Sequence, residues 1–126
     1  TGKLVSVVKE KVERDPDLFM GFASMSESIT MQGLEAIKGQ DYGELGALMT
    51  LNHSLLRKLG VSRTILDRLV EVALKNEALG AKITGAGGGG CIIALTNKHS
   101  KNKIMKAMKR YGVFLSKVEH NGVLVE

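Results

Sequence analysis

Five glycines in six positions, Gly85-Ala86-Gly87-Gly88-Gly89-Gly90, constrain this 126-residue chain more than any other feature. Each loses more backbone freedom on folding than an alanine would, at a cost of roughly 0.5–1 kcal/mol. A tight hairpin turn needs one or two glycines, so the surplus calls for a further reason. Ala81-Lys82-Ile83-Thr84 before the run is short and β-leaning, and Cys91-Ile92-Ile93-Ala94-Leu95 after it has the composition of a buried strand. The pattern predicts strand, glycine loop, strand. Its backbone amides are open to an anion or another loop because no Cβ stands in the way. The plainer reading is a flexible hairpin tip.

The run satisfies G-x-G-x-x-G, but a dinucleotide-binding fold needs a helix to open at the last glycine. Cys91, Ile92 and Ile93 provide no N-cap, and two of them are β-branched. No Lys-Ser/Thr follows the glycines, so a Walker A loop fails as well.

Upstream the periodicity is helical. Leu4, Val5, Val8 and Val12 share one side of a helix over residues 2–14. Asp15-Pro16 restarts the chain as N-cap and first helical residue, opening a helix to about Lys38. Phe19, Phe22, Ala23, Ile29, Gly33 and Ile37 are expected inward, and Gly39 ends the helix. Asp41 and Glu44, at capping-box spacing, open a third helix with Leu45, Leu48, Met49, Leu55, Leu56 and Leu59 in a stripe. Asn52 falls on that stripe and His53 beside it. Polar groups there must be satisfied inside the protein or face a cleft. Gly60 closes this helix, Ser62 is placed to cap a fourth carrying Leu66, Leu69, Val70 and Ala73, and Gly80 is expected to stop it. Beyond the glycine loop, Ser100 is placed to cap a basic helix ending at Tyr111-Gly112. Val113 to Val118 alternates as a strand, and Asn121-Gly122 signals a hairpin into Val123-Leu124-Val125. The sum is an α+β fold, a helical layer packed on a small antiparallel sheet.

Composition narrows the function classes. With 44% hydrophobic and 25% charged residues, the chain suits one globular domain. Its single cysteine, Cys91, excludes a disulfide framework and a multi-cysteine zinc site, fits a reducing cytoplasm, and is expected to pack as a small apolar residue. No apolar run approaches the roughly 20 residues of a membrane span. Thr1 in place of a methionine suggests a processed chain or a fragment. The net charge of +5 sits at one end: residues 96–126 hold 7 Lys/Arg against 2 Asp/Glu, while residues 1–95 balance at 11 each. Ile104, Met105, Ala107, Met108 and Tyr111 give that basic helix an apolar side, so its lysines read as a solvated face. With 4% aromatic residues there is little to stack on bases, and a nucleic-acid partner is not expected.

Lys82-Ile83-Thr84-Gly85-Ala86-Gly87-Gly88-Gly89-Gly90-Cys91 resembles the third conserved motif of the GHMP small-molecule kinases. Four consecutive glycines followed by cysteine are most similar to the mevalonate kinases of that family. Asn52-His53 with Leu55, Leu59-Gly60-Val61-Ser62 and Leu66-Asp67 resemble the helix pair preceding the motif, and Thr1-Gly2-Lys3-Leu4-Val5 resembles the opening of the family's C-terminal domain. The resemblance covers essentially the whole chain. It implies a C-terminal domain of ferredoxin-like type, residues 1–126, and phosphorylation of the mevalonate 5-hydroxyl by ATP in isoprenoid precursor synthesis. The family's Gly/Ser-rich phosphate loop, catalytic aspartate and magnesium ligands belong to an N-terminal ATP-binding domain whose motifs do not occur here. ATP and Mg2+ are accordingly implied as bound mainly by that domain, this chain is implied to be inactive alone, and it is expected to carry no catalytic and no metal-binding residue. Gly85, Gly87, Gly88, Gly89 and Gly90 are implied beside the phosphate loop, and Ala86 against the substrate. Thr1 is implied as a substrate-side hydroxyl, with a helix N-cap the alternative. Asn52 and His53 match a helix that faces the cleft, with structural roles open for both. The resemblance also implies a homodimer as an assembly. Another family member, such as a galactokinase or phosphomevalonate kinase, and a non-catalytic anion- or partner-binding module are the alternatives.

Overall fold

A computed structural model describes residues 2–85 and 90–117. Five helices and two strands follow in the order α1 (Gly2–Arg14), α2 (Pro16–Lys38), α3 (Tyr42–Leu59), α4 (Thr64–Lys75), β1 (Gly80–Thr84), β2 (Cys91–Leu95) and α5 (Lys101–Met108), with a 3-10 turn at Lys109–Tyr111. The helix starts follow local chemistry. Asp15 accepts a 3.0 Å bond from the Leu18 amide and Asp41 a 3.1 Å bond from the Glu44 amide, each satisfying a donor the first turn leaves open. Gly60 ends α3 with φ of +86°, a conformation glycine adopts without the usual Cβ penalty. Lys11 of α1 donates to the Leu59 carbonyl at 2.7 Å, placing a cation at the negative end of α3.

Two apolar clusters organise the molecule. Ile29 and Ala36 of α2 pack with Leu48 and Leu55 of α3, joined by Phe22 and Leu45. Val70 and Ala73 of α4, Ala81 of β1, and Ile104 and Met108 of α5 form the second, with Ile92 and Ala94 of β2 against it. α4 and α5 therefore cover one face of the antiparallel β1–β2 hairpin, whose register pairs Lys82 with Ile93, Ile83 with Ile92 and Thr84 with Cys91.

Several sequence expectations are corrected. Gly80 does not stop α4: that helix ends at Lys75, and Gly80 opens β1, pressed against the backbone of Gly46. Arg63, not Ser62, occupies the N-cap position of α4, because the Ser62 hydroxyl bonds the charged acceptor Asp67 instead. Ser100 stands at the α5 N-cap without capping it through its side chain; its hydroxyl bonds Asn97 and Thr96. On α2, Ala36 is buried while Ala23 and Ile37 are exposed. β2 is not a buried strand: Ile93 is 48% exposed and Cys91 is exposed rather than packed, since no described element covers that face of the hairpin. Residues 113–117 form no strand and are exposed. Val118 and the Asn121-Gly122 hairpin with Val123-Leu124-Val125 lie outside the described residues. No helix among the described residues is long and apolar enough to cross a membrane.

Candidate functional site

The glycine loop leaves β1 at Gly85 and rejoins β2 after Gly90. Thr84 and Cys91, the last paired residues, set its two feet side by side. Gly85 has φ of +68°, and a Cβ there would meet nothing within 4 Å. Backbone strain, not crowding, therefore reserves that position for glycine. Gly90 is exposed. Thr1, Ala86, Gly87, Gly88 and Gly89 lie outside the described residues.

What holds β1 in place is α3, which runs beside it in the same direction. Gly46, Thr50 and His53 recur at four and three residues along one helical face. They meet successive parts of the strand. Gly46 touches the backbone at Leu79 and Gly80, where neither glycine has room for a Cβ. The Thr50 hydroxyl accepts from the Ala81 amide at 3.3 Å, and His53 Nδ1 accepts from the Ile83 amide at 3.3 Å. Ala81 and Ile83, two residues apart, present their amides along one edge of the strand. Three helical residues advance about 4.5 Å and two strand residues about 6.6 Å, so the longer imidazole reaches the farther amide.

His53 is 5% exposed. Its Nε2 lies 2.9 Å from Asp67 Oδ1 on α4. Because Nδ1 accepts from an amide, the ring proton resides on Nε2 and is donated to the carboxylate. The same Oδ1 accepts from the Ser62 hydroxyl at 2.7 Å, and Arg57 Nε lies 3.6 Å from Oδ2. Four segments thus converge on one chain of donors: the α3–α4 connection, α4, α3 and the strand that leads into the glycines. Both nitrogens of His53 are engaged within the domain, so the ring does not offer a free nitrogen to a cleft. Asn52 is half-buried, and its side chain makes no hydrogen bond to any described residue.

On the uncovered face of the hairpin stand Lys82, Thr84, Cys91 and Ile93. Partial burial holds the Lys82 amine below its ordinary value. Among the described residues no group of three or more His, Cys, Asp or Glu is arranged to share a metal ion. A hollow of about 250 Å³ where α1, α2 and the end of α3 meet is lined by Lys11, Arg14, Lys58, Phe19 and Phe22, and shares no residue with the hairpin.

Sequence reasoning singled out His53 but missed its partners. Asp67 was visible as part of a motif, and Ser62 as a helix cap. The signal that joins them is an Oδ1 acceptor in the first turn of α4, five residues after a serine and fourteen after a histidine on the preceding helix. Thr50 gave a fainter one, three residues before that histidine on the same face.

The family model described as GHMP kinases C terminal matches residues 34–113. A mevalonate kinase from Pyrococcus furiosus is 34% identical over an alignment that takes in 100% of this chain and 40% of that protein. The mevalonate kinase of Methanothermobacter thermautotrophicus is 42% identical over 75% of this chain and 31% of its own length. The chain thus spans about two fifths or less of these relatives. Among solved structures, L. major mevalonate kinase in complex with R-mevalonate superposes with a TM-score of 0.80 at 31% identity, covering 86% of this chain and 34% of that one. The Methanococcus jannaschii mevalonate kinase superposes with a TM-score of 0.66 at 36% identity, covering 86% of this chain and 32% of the other.

Proposed function

The chain belongs to the GHMP kinases, and from that premise we propose that it is the C-terminal part of a mevalonate kinase. The observation that carries the proposal is the 34% identity to a named mevalonate kinase across all of this chain. The pairing of β1 with β2 supports it, because it brings the two ends of the motif, Lys82 to Thr84 and Cys91, side by side on strands braced by α3.

In the proposed reaction the 5-hydroxyl oxygen of mevalonate attacks the γ-phosphorus of ATP. The bond from that phosphorus to the β–γ bridging oxygen breaks, ADP leaves, and the hydroxyl proton passes to a base outside this chain. Phosphoryl transfer is governed by positioning and charge stabilisation, which close-packed backbone amides supply. Gly85 to Gly90 close the cleft beside the phosphates in this reading, with Ala86 against mevalonate and Thr1 donating a hydroxyl to it. Magnesium, when bound, neutralises phosphate charge. This reading assigns it, with the ATP phosphates, to the N-terminal domain. A cytoplasmic location and a homodimer belong to the same proposal.

The test is ADP release by the full-length protein with mevalonate, phosphomevalonate or galactose as acceptor. Turnover on mevalonate and not on the other two is the expected result. Turnover on another acceptor would reassign the substrate within the family, and no turnover on any would favour a binding module. The chain expressed alone is expected to release no ADP and to bind ATP weakly; tight ATP binding by it would contradict the placement of the phosphate site.

A further inference from the structure

Ile83 is 2% exposed and lies two residues before Gly85, so whatever holds its amide sets where the strand delivers the glycine loop. That amide bonds to one side-chain atom, His53 Nδ1. We infer that His53 is a positioning residue for phosphoryl transfer, its tautomer fixed by Asp67 and Ser62 so that Nδ1 keeps a lone pair for the Ile83 amide. The inference rests on the kinase reading above.

The donors all point one way. The Ser62 hydroxyl donates to Asp67, His53 Nε2 donates to Asp67, and the Ile83 amide donates to His53. An ionised carboxylate only accepts, so Asp67 demands the proton on Nε2. Were the proton on Nδ1, donor would face donor at Ile83, and a buried amide would be left unsatisfied. Ser62 at 2.7 Å and Arg57 at 3.6 Å keep the carboxylate aimed at the ring. α4 and the α3–α4 connection, neither adjacent in sequence to the glycines, are thereby coupled to the foot of the loop. Placement matters there because a shift of about 1 Å in a reacting constellation can lower turnover by roughly a hundredfold.

Two substitutions separate the two ring nitrogens. His53→Asn places an amide oxygen near the position of Nδ1, retaining an acceptor for Ile83 while abandoning Asp67. His53→Gln places its amide near Nε2, retaining the bond to Asp67 while abandoning Ile83. In the full-length protein, both variants are expected to lower the melting temperature. His53→Gln is expected to lower kcat by about tenfold, the equivalent of one lost hydrogen bond, and His53→Asn to lower it less. KM for mevalonate should change less than kcat. Hydrogen exchange of the peptide spanning residues 79–85 should quicken in His53→Gln and stay slow in His53→Asn. A wild-type kcat in His53→Gln, or kcat losses in the two variants that simply follow their melting temperatures, would overturn the inference. If the parent protein phosphorylates nothing, the kinase reading falls and exchange alone decides. Unequal protection then supports the hold on Ile83, and equal protection overturns it.

Discussion

Gly46→Ala tests the α3–β1 contact because two physical effects predict opposite signs. Gly46 lies inside α3, where alanine is favoured over glycine by about 0.8–1 kcal/mol of helix propensity. Propensity alone therefore makes the substitution stabilising. The added Cβ would lie inside contact distance of the Leu79 carbonyl and 2.8 Å from the Leu79 Cβ. Backbone cannot rotate out of the way, so α3 must move from β1 by about 1 Å, an overpacking cost of roughly 1–3 kcal/mol. The bonds from Thr50 to Ala81 and from His53 to Ile83 are already 3.3 Å long and would stretch beyond useful range. Each contributes about 0.5–1.5 kcal/mol. Set against the propensity gain, the net destabilisation is about 1–5 kcal/mol. In urea unfolding of the chain this lowers the midpoint by about 0.5–2.5 M at a slope of about 2 kcal/mol/M. Gly33→Ala is the matched control: its Cβ would meet only Leu45 Cδ1, at 3.9 Å, and propensity should raise the midpoint. A Gly46→Ala midpoint equal to or above wild type would refute the account of how α3 holds the strand.

Two further outcomes follow from the hairpin. Gly85 sits at positive φ in open space, so Gly85→Val should lower kcat of the full-length protein much more than Gly85→Asn, since asparagine tolerates that backbone and a β-branched residue does not; equal loss in steady-state assays would point to crowding instead. Burial lowers the Lys82 pKa in the fold, so below the unfolded value near 10.5 the unfolded chain binds more protons, and stability rises with pH as the folded and then the unfolded pKa is passed. Lys82→Met should therefore raise the urea midpoint at neutral pH, with the advantage shrinking towards pH 10.5; a pH-independent difference would refute it.

Where a residue's role is decided by its immediate neighbours, the sequence was enough to read it. Asp15 and Asp41 cap because the amides they satisfy lie three residues on, and Gly60 ends α3 because the chain must reverse there. The Ser62 hydroxyl bonds a carboxylate five residues away rather than capping the helix that follows it. Gly80 resembles a helix stop until Gly46, thirty-four residues earlier in the chain, comes to rest on it. Ile93 is apolar on both sides in sequence, yet only the alternate residues Ile92 and Ala94 meet α4 and α5. The glycine run and its flanking strands were legible because nothing else tolerates so many glycines between β-branched residues. Its anchor was not, because Thr50, His53 and Asp67 reach it only through the folded arrangement of three elements.

The caps that α3 places on Ala81 and Ile83 also decide how this sheet can be built. An unpaired strand edge is a template on which a stray chain can add itself, the first step of edge-to-edge aggregation. Here two amides of the outer edge of β1 are already spent on helix side chains, and Gly46 stands against the backbone at Leu79 and Gly80 where an incoming strand would have to lie. Further strands, whether from this polypeptide or another, can extend the sheet only from the β2 side. Growth of the sheet is thereby made one-directional by a threonine, a histidine and a glycine on a neighbouring helix.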